Sequence, residues 1–332
     1  MYMKQRCFWG RLLPILTISL LCTGLASCGD DDDDGNAPTK AGVLDKKTGL
    51  RLTRCGDYRI YYDDKGRIDY IRENYYNSYY NEWTFSYSPN TITYRDRNDS
   101  KAEVLNVGYN SSGYLSSMKL SDSGQDSYES WTVSSSTTLS YDSSGHLTKI
   151  TGSGKETGEK RGERYSETWD VSCILNWRNG LLMTVTWTET EKEDGETEKE
   201  TETYTYHYDN DGYENKYRQW TPSVGYYWLE LDDIEAQLAY AGMFGIGPDM
   251  LPSSVEMDSE EFYDGSWHKN TSRSYSFRHS FNGDGSVSYT TVGGTTYNFS
   301  YDYVDTDSKD TRAASSQQGE RTTKTLRHLF RK

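Results

Sequence analysis

The sequence predicts an all-β protein: a large antiparallel meander of long hairpins that curls towards a barrel, carries one short helix and does not span a membrane. Three observations predict it. Turn signals made of an aromatic residue, Asp or Asn, and Gly recur along the chain, and between them aromatic and β-branched residues alternate with polar ones. The 332 residues include 30 Tyr and 9 Trp, yet mean hydropathy is −0.90, whereas a membrane-spanning barrel needs an apolar lipid-facing residue at every second strand position.

The chain opens with a leader. Lys4, Arg6 and Arg11 form a basic region, Leu12 to Cys22 is largely apolar, and small residues precede Cys28. This is the pattern of a secretory signal, and the apolar run, broken by Pro14, is too short to span a bilayer. The tetrapeptide "LASC" resembles the lipobox of bacterial lipoproteins, in which the cysteine becomes the lipidated first residue. Cys28 is therefore the expected anchor, because several acyl chains on one residue hold a protein durably to a membrane. Asp30, Asp31, Asp32, Asp33 and Asp34 follow at once. An acidic block there resembles the export signal that takes Bacteroidota-type lipoproteins to the outer face of the outer membrane, the periplasmic face being the alternative. The expected organisation is a leader over 1–27, a lipidated acidic tether over 28–49, a β domain over 50–304 and a polar tail over 305–332.

Formal net charge is −15, and removing a basic leader makes the chain more acidic still. Such a charge repels nucleic acid and anionic lipid, so no nucleic-acid partner is expected. The expected partners are the membrane, through the anchor, and a glycan or a surface protein. Past Cys28 only Cys55 and Cys173 remain. Outside the cytoplasm they could pair, but without a spacing signal two small buried side chains are the simpler reading.

Five segments share one shape: "YDDKGRI" at Tyr62, "YNSSGYL" at Tyr109, "YDSSGHL" at Tyr141, "YDNDGYE" at Tyr208 and "FNGDGSV" at Phe281, with "WRNGLL" at Trp177 as a shorter relative. Each reads as a hairpin turn, in which Asp or Asn caps the loop through its side chain and Gly supplies a positive φ. One hairpin can be put in register by hand. In "TVTWTETEKEDGETEKETETYTY" the two-residue turn falls at Asp194 and Gly195. That sets Glu193 opposite Glu196, Glu191 opposite Glu198, Glu189 opposite Glu200, Trp187 opposite Glu202 and Val185 opposite Tyr204, with a threonine ladder on the other face. Like charges directly opposite are destabilising, so this acidic tip is expected to stand in solvent rather than to hold Ca²⁺.

"DDIEAQLAYAG" carries the expected helix, with Asp232 as N-cap, Glu235 completing a capping box, Ile234 and Leu238 on one face and Gly242 as the stop. It is expected to plug one end of the curled sheet. "GIGPDMLPSS" then breaks structure before the next strand.

At this point the lipobox, "LSYDSSGHLTKI", "LNWRNGLLMTVTW", the helix followed by "GMFGIGPDMLPSSV" and the closing "FNGDGSVSYTTVGGTTYNFSYDY" together resemble a family of Bacteroidota-type lipoproteins, a domain of unknown function with a porin-like fold. The resemblance implies a large antiparallel β fold and transfers no activity and no functional residues.

Chemistry is sparsely signalled. Ser116 and Lys119 form a lone S-x-x-K, and "KTG" occurs at Lys47, but the order is wrong for a penicillin-binding enzyme. His146, His207, His268 and His279 read as packing or surface residues. Carboxylates are abundant, and nothing singles out a glycosidase pair. No cofactor and no metal site are expected. The sequence thus points to a non-catalytic, lipid-anchored surface protein with a binding or accessory role. A glycan-binding protein of a nutrient-capture system is the first alternative and a hydrolase using paired carboxylates the second. Trp220, Tyr226, Tyr227 and Trp228 in "QWTPSVGYYW" are the candidate exposed rings for stacking on a sugar.

Overall fold

The computed structural model describes residues 43–45, 49–64, 66–74, 80–88, 91–96, 103–125, 129–160, 162–193, 196–209, 213–225, 239, 242–263 and 265–303. The leader, Cys28, the aspartate run and the tail from 304 lie outside them, as do Tyr226, Tyr227, Trp228 and most of the expected helix over 232–241.

The alternating segments form a 17-stranded antiparallel sheet. Its strands are β1 (Val43–Asp45), β2 (Leu50–Cys55), β3 (Tyr58–Tyr62), β4 (Ile68–Asn74), β5 (Tyr80–Ser88), β6 (Thr91–Asp96), β7 (Glu103–Tyr109), β8 (Leu115–Gln125), β9 (Glu129–Tyr141), β10 (Leu147–Lys160), β11 (Glu163–Arg178), β12 (Leu181–Glu193), β13 (Glu196–His207), β14 (Ser254–Tyr263), β15 (Ser266–Phe281), β16 (Val287–Val292) and β17 (Thr295–Tyr303). From β2 onward each strand pairs with its successor. β17 then returns to pair with β2, from Phe299 opposite Cys55 to Tyr303 opposite Leu50, so the run of pairings comes full circle. The strands thereby acquire two ends: a base of short turns and a rim formed by the far ends of the hairpins.

The repeated motif builds the base. At Asp63, Asn110, Asp142 and Asn282 the backbone N–H donates to the residue four positions on, and the turn glycine donates back. Gly66, Gly113, Gly145 and Gly285 take φ of 77°, 82°, 94° and 88°, which only glycine adopts freely. The side chain following the aromatic residue completes the turn: Asp142 Oδ1 accepts from the Ser144 and His146 amides at 2.8 and 2.9 Å, and Asn110 Oδ1 from Ser112 and Tyr114 at 2.9 and 3.0 Å.

The aromatic residue itself has a second task. The hydroxyls of Tyr62, Tyr87, Tyr141, Tyr208 and Tyr301 donate to the carbonyls of Leu52, Ile68, Leu115, Leu182 and Val287 at 2.6–2.9 Å. Trp177 Nε1 does the same to Leu147 at 2.8 Å. At Tyr62, Tyr141 and Trp177 the motif therefore makes both a turn and a stitch to the strand before it; Tyr87 and Tyr301 make the same stitch outside the motif, and the Tyr109 hydroxyl does not. The stitched aliphatic residues are buried in one core with Ile60, Ile71, Leu139, Leu175, Val185 and Phe299. Cys55 and Cys173 lie in that core as free thiols, which burial pushes up in pKa.

The motif at Tyr208 departs from its reading as a hairpin. Tyr208 makes its stitch, but β13 and β14 are joined by the long segment 208–253, which folds across the base. Its backbone bonds Gly145, Gly180 and Tyr213 through Ile246, Asp249 and Leu251 at 2.8–3.1 Å, and Leu115 donates to Met243 at 3.0 Å. Part of "TPSVG" is a one-turn helix α1 (Pro222–Gly225). Ala239 is helical and buried, and Gly242, at φ 83°, donates to its carbonyl at 2.9 Å.

No described helix is long and apolar enough to cross a membrane. The outward positions of β10 and β11 carry Lys149, Ser153, Lys155 and Asp170, all exposed, which interrupt any apolar band there.

Candidate functional site

The acidic hairpin has the register expected from its turn: Glu193 faces Glu196, Glu191 faces Glu198, Glu189 faces Glu200, Trp187 faces Glu202 and Val185 faces Tyr204. Thr184, Thr186 and Thr188 line the other face opposite Thr205, Thr203 and Thr201. The expectation of a solvated tip meets a mixed outcome: Glu198 is exposed, Glu191 is buried, Glu189 and Glu200 are half-buried, and the turn at Asp194 and Gly195 lies outside the described residues. β11 and β14 flank the hairpin, setting Val171 against Glu189 and Glu261 against Glu200. Period two carries the same face from the buried Cys173, Trp187 and Tyr204 up to the glutamates. The carboxylates consequently point to the concave side of the sheet.

Neighbouring strands extend this wall. Glu156 on β10 faces Glu167 on β11, and both are buried, as is Glu191. Two glycines shape it. Trp169 crosses Gly154, where a Cβ would sit 2.2 Å from the indole Cζ2, and Tyr165 crosses Gly158, where a Cβ would lie 2.7 Å from Cε1. Any side chain at either position would lift the ring off the wall. Laid flat, Tyr165 donates its hydroxyl to Glu156 Oε1 at 2.6 Å. Ser259 Oγ donates to Glu200 Oε1 at 3.1 Å, and the Tyr204 hydroxyl donates to Glu202. These donors are neutral hydroxyls, so they orient the carboxylates without cancelling charge.

The electrostatics follow from that. Burial, with Glu200 and then Glu167 adding like charge, pushes Glu189 up to about 7. Burial also raises Glu200 and Glu202, against the hydrogen bonds from Ser259 and Tyr204. Among the described residues no group of three or more His, Cys, Asp or Glu side chains is placed to hold a metal ion. The wall offers hydrogen-bond acceptors and negative potential on a rigid surface studded with indole and phenol rings.

Trp220 is corrected as an exposed ring. It is 1% exposed, donates its Nε1 to the Gly245 carbonyl at 3.1 Å and packs edge-on to Trp177 at 6.2 Å. "QWTPSV" looks like a surface loop but lies under the base, where an indole and its N–H are both accommodated. His146 stacks on Trp177 at 4.3 Å and bonds Asp142 at 2.9 Å, and His279 is buried between Thr290 and the Pro252 carbonyl; both pack the base. His207 is exposed, and His268 lies on the rim.

Exposed rings occur elsewhere. At the β14–β15 end Tyr263 and Trp267 are 46% and 45% exposed. Sequence reading missed them, together with Glu156, Glu167 and Glu261. The "FYDGSWH" turn was one available signal. The glycines of "GSGKETG" at 154 and 158, facing Trp169 and Tyr165 across the ladder, were another.

Comparison with solved structures finds similarity to Bacteroides porin-like proteins. One from Bacteroides vulgatus is 13% identical, with a TM-score of 0.48, over 76% of this chain and 98% of its own. One from Bacteroides uniformis is 13% identical, with a TM-score of 0.41, over 74% and 90%. No family model and no curated protein matches the chain.

Proposed function

We propose that the protein is a lipid-anchored binding protein of the outer membrane, held by Cys28, directed to the cell exterior by Asp30–Asp34, and acting without catalysis through the acidic, aromatic-bearing wall near its rim. One observation supports the orientation. Leu50 pairs with Tyr303 at the base end of the sheet, and β1 turns back beside β2 only as far as Val43 opposite Arg51, so the segment leading back to Cys28 starts beside the base. The stretch from Cys28 to the start of β1 at Val43 reaches at most about 50 Å when extended, enough to lift the base clear of the lipid headgroups.

Growth with an alkyne fatty acid tests the anchor, and external protease on intact cells tests the side. The wild type takes up label and is digested. Cys28→Ala loses the label, and replacing Asp30–Asp34 by Ala leaves the protein protected until the outer membrane is opened. Labelling that persists in Cys28→Ala, or a wild type shielded in intact cells, contradicts the proposal.

A second reading, hydrolysis by paired carboxylates, is favoured by Glu189 alone, since a carboxyl near 7 opposite Glu200 is the kind of group that can act as an acid. Turnover of aryl glycosides that disappears in Glu189→Gln would establish it.

A further inference from the structure

We propose that the outer face of β2, β3 and β4 is the docking surface for the acidic run Asp30–Asp34, which folds back onto the sheet through Arg54 and Arg59. The run that reads as an export signal thereby has a second use in the folded protein.

The ladder supplies the first observation. Arg54 faces Arg59 across β2 and β3, and Arg59 faces Arg72 across β3 and β4. Among the described pairings no other two basic residues stand directly opposite one another, and like charges so placed oppose pairing. Cys55, Ile60 and Ile71 beside them are buried on the inner face, so period two turns all three arginines outward. Arg72 is matched: its Nε donates to Glu82 at 2.8 Å, and its guanidinium carbon lies 4.4 Å from the Tyr80 ring centre. Arg51, nearer the base, is matched by Asp302 at 3.0 Å. The middle of the row is not matched in this way. Arg54 donates its Nε to the Gly56 carbonyl at 2.8 Å, Arg59 is exposed, and neither has a carboxylate partner among the described residues, the exposed Asp57 of the β2–β3 turn included.

The path of the chain supplies the second. Val43 pairs with Arg51, three residues from Arg54 on the same strand, and β1 is antiparallel to β2. Followed backwards, β1 therefore heads from the level of Leu50 towards that of Arg54. Asp34 precedes Val43 by nine residues, a reach of about 30 Å when extended, whereas three residues of strand span only about 10 Å. The longest acidic run in the sequence thus joins the sheet beside its row of facing arginines.

Tethering decides the occupant. A formal net charge of −15 repels polyanions arriving from solution. A segment so close along the chain is present at roughly millimolar effective concentration, so ion pairs that are weak singly on a surface add up on one short run. Guanidinium forks also donate to carboxylates in bidentate geometry. The contact is exposed and therefore weakens with salt.

Carbodiimide, which joins a touching carboxylate and amine as an amide, tests the docking in the full chain carrying Arg59→Lys, held in mild detergent. The substitution keeps the charge and supplies the amine. Peptide mapping should find position 59 linked to Asp30–Asp34 at about tenfold or more the yield of Lys155, an exposed lysine on β10, because the run is held beside β3. High salt should suppress the link, and replacing Asp30–Asp34 by Asn should abolish it without altering the melting curve. In a mixture of isotopically labelled and unlabelled protein, each link should lie within one chain. A yield at position 59 no higher than at Lys155, a link indifferent to salt, or links that join labelled to unlabelled chains overturns the inference. None of these outcomes bears on the anchor, which fatty-acid labelling reads independently.

Discussion

The base and the rim of the sheet solve the burial of polar groups in opposite ways. At the base, tyrosine hydroxyls meet backbone carbonyls, turn carboxylates meet turn amides, and the Trp220 N–H meets Gly245. In these contacts donor meets acceptor, and each neutral pair contributes about 1 kcal/mol. At the rim, carboxylate faces carboxylate across two successive ladders, Glu189 to Glu200 and Glu200 to Glu261, and hydroxyls orient the charges without neutralising them. The same pleat and the same strands serve both ends. The contrast teaches that the lower half is organised to hold the fold, while the upper half keeps carboxylates facing one another.

Three substitutions sharpen that contrast. The largest effect is expected at the base. Trp220→Ala removes a sealed indole beneath Trp177 and should lower unfolding free energy by about 3–5 kcal/mol, read by urea denaturation. At the rim the sign reverses. Glu189 keeps its proton up to about 7 in the fold but loses it near the ordinary carboxylate value when unfolded, so the folded state binds more protons between those limits and stability falls as pH rises through them. Glu189→Gln should therefore stabilise the protein at pH 8 by about 2 kcal/mol and flatten the decline between pH 5 and 8. The smallest effect returns to the base: Tyr141→Phe leaves the Leu115 carbonyl without its donor and should cost about 1 kcal/mol, with no change in pH dependence.

The base was largely legible in the sequence because its signals are local. Aromatic residue, Asx and Gly at fixed offsets specify a turn whatever lies around it, and the Asp194–Gly195 turn fixed the register from Glu193–Glu196 to Val185–Tyr204 by counting. What counting could not supply was the neighbour beyond each hairpin. The glutamates of β12 and β13 were expected in solvent because the turn registers only its own two strands, and the flanking β11 and β14 turn the acidic face into a wall. Trp220 was misread for the same reason. Its segment has loop composition, but its burial depends on turns at 142–146 and 179–180 that no local pattern connects to it. Tyr208 carries the motif and makes the stitch, yet the hairpin it signals elsewhere is replaced by the cap, a choice made by tertiary contacts. The exposed rings at 263 and 267 were hidden among 30 tyrosines and nine tryptophans, since exposure is a property of position and not of residue type.

Hydrogen exchange of the full protein at a single pH, in low and in high salt, reads both ends of the molecule in one sample. Amides of the base strands around Leu115, Leu147 and Leu182 should be protected equally in both. Amides from Glu189 to Glu200 should exchange faster in low salt and slow as salt screens the facing carboxylates. Rim protection that is independent of salt, or a base that responds as strongly as the rim, would contradict the division of the sheet into a complementary base and a charge-strained rim.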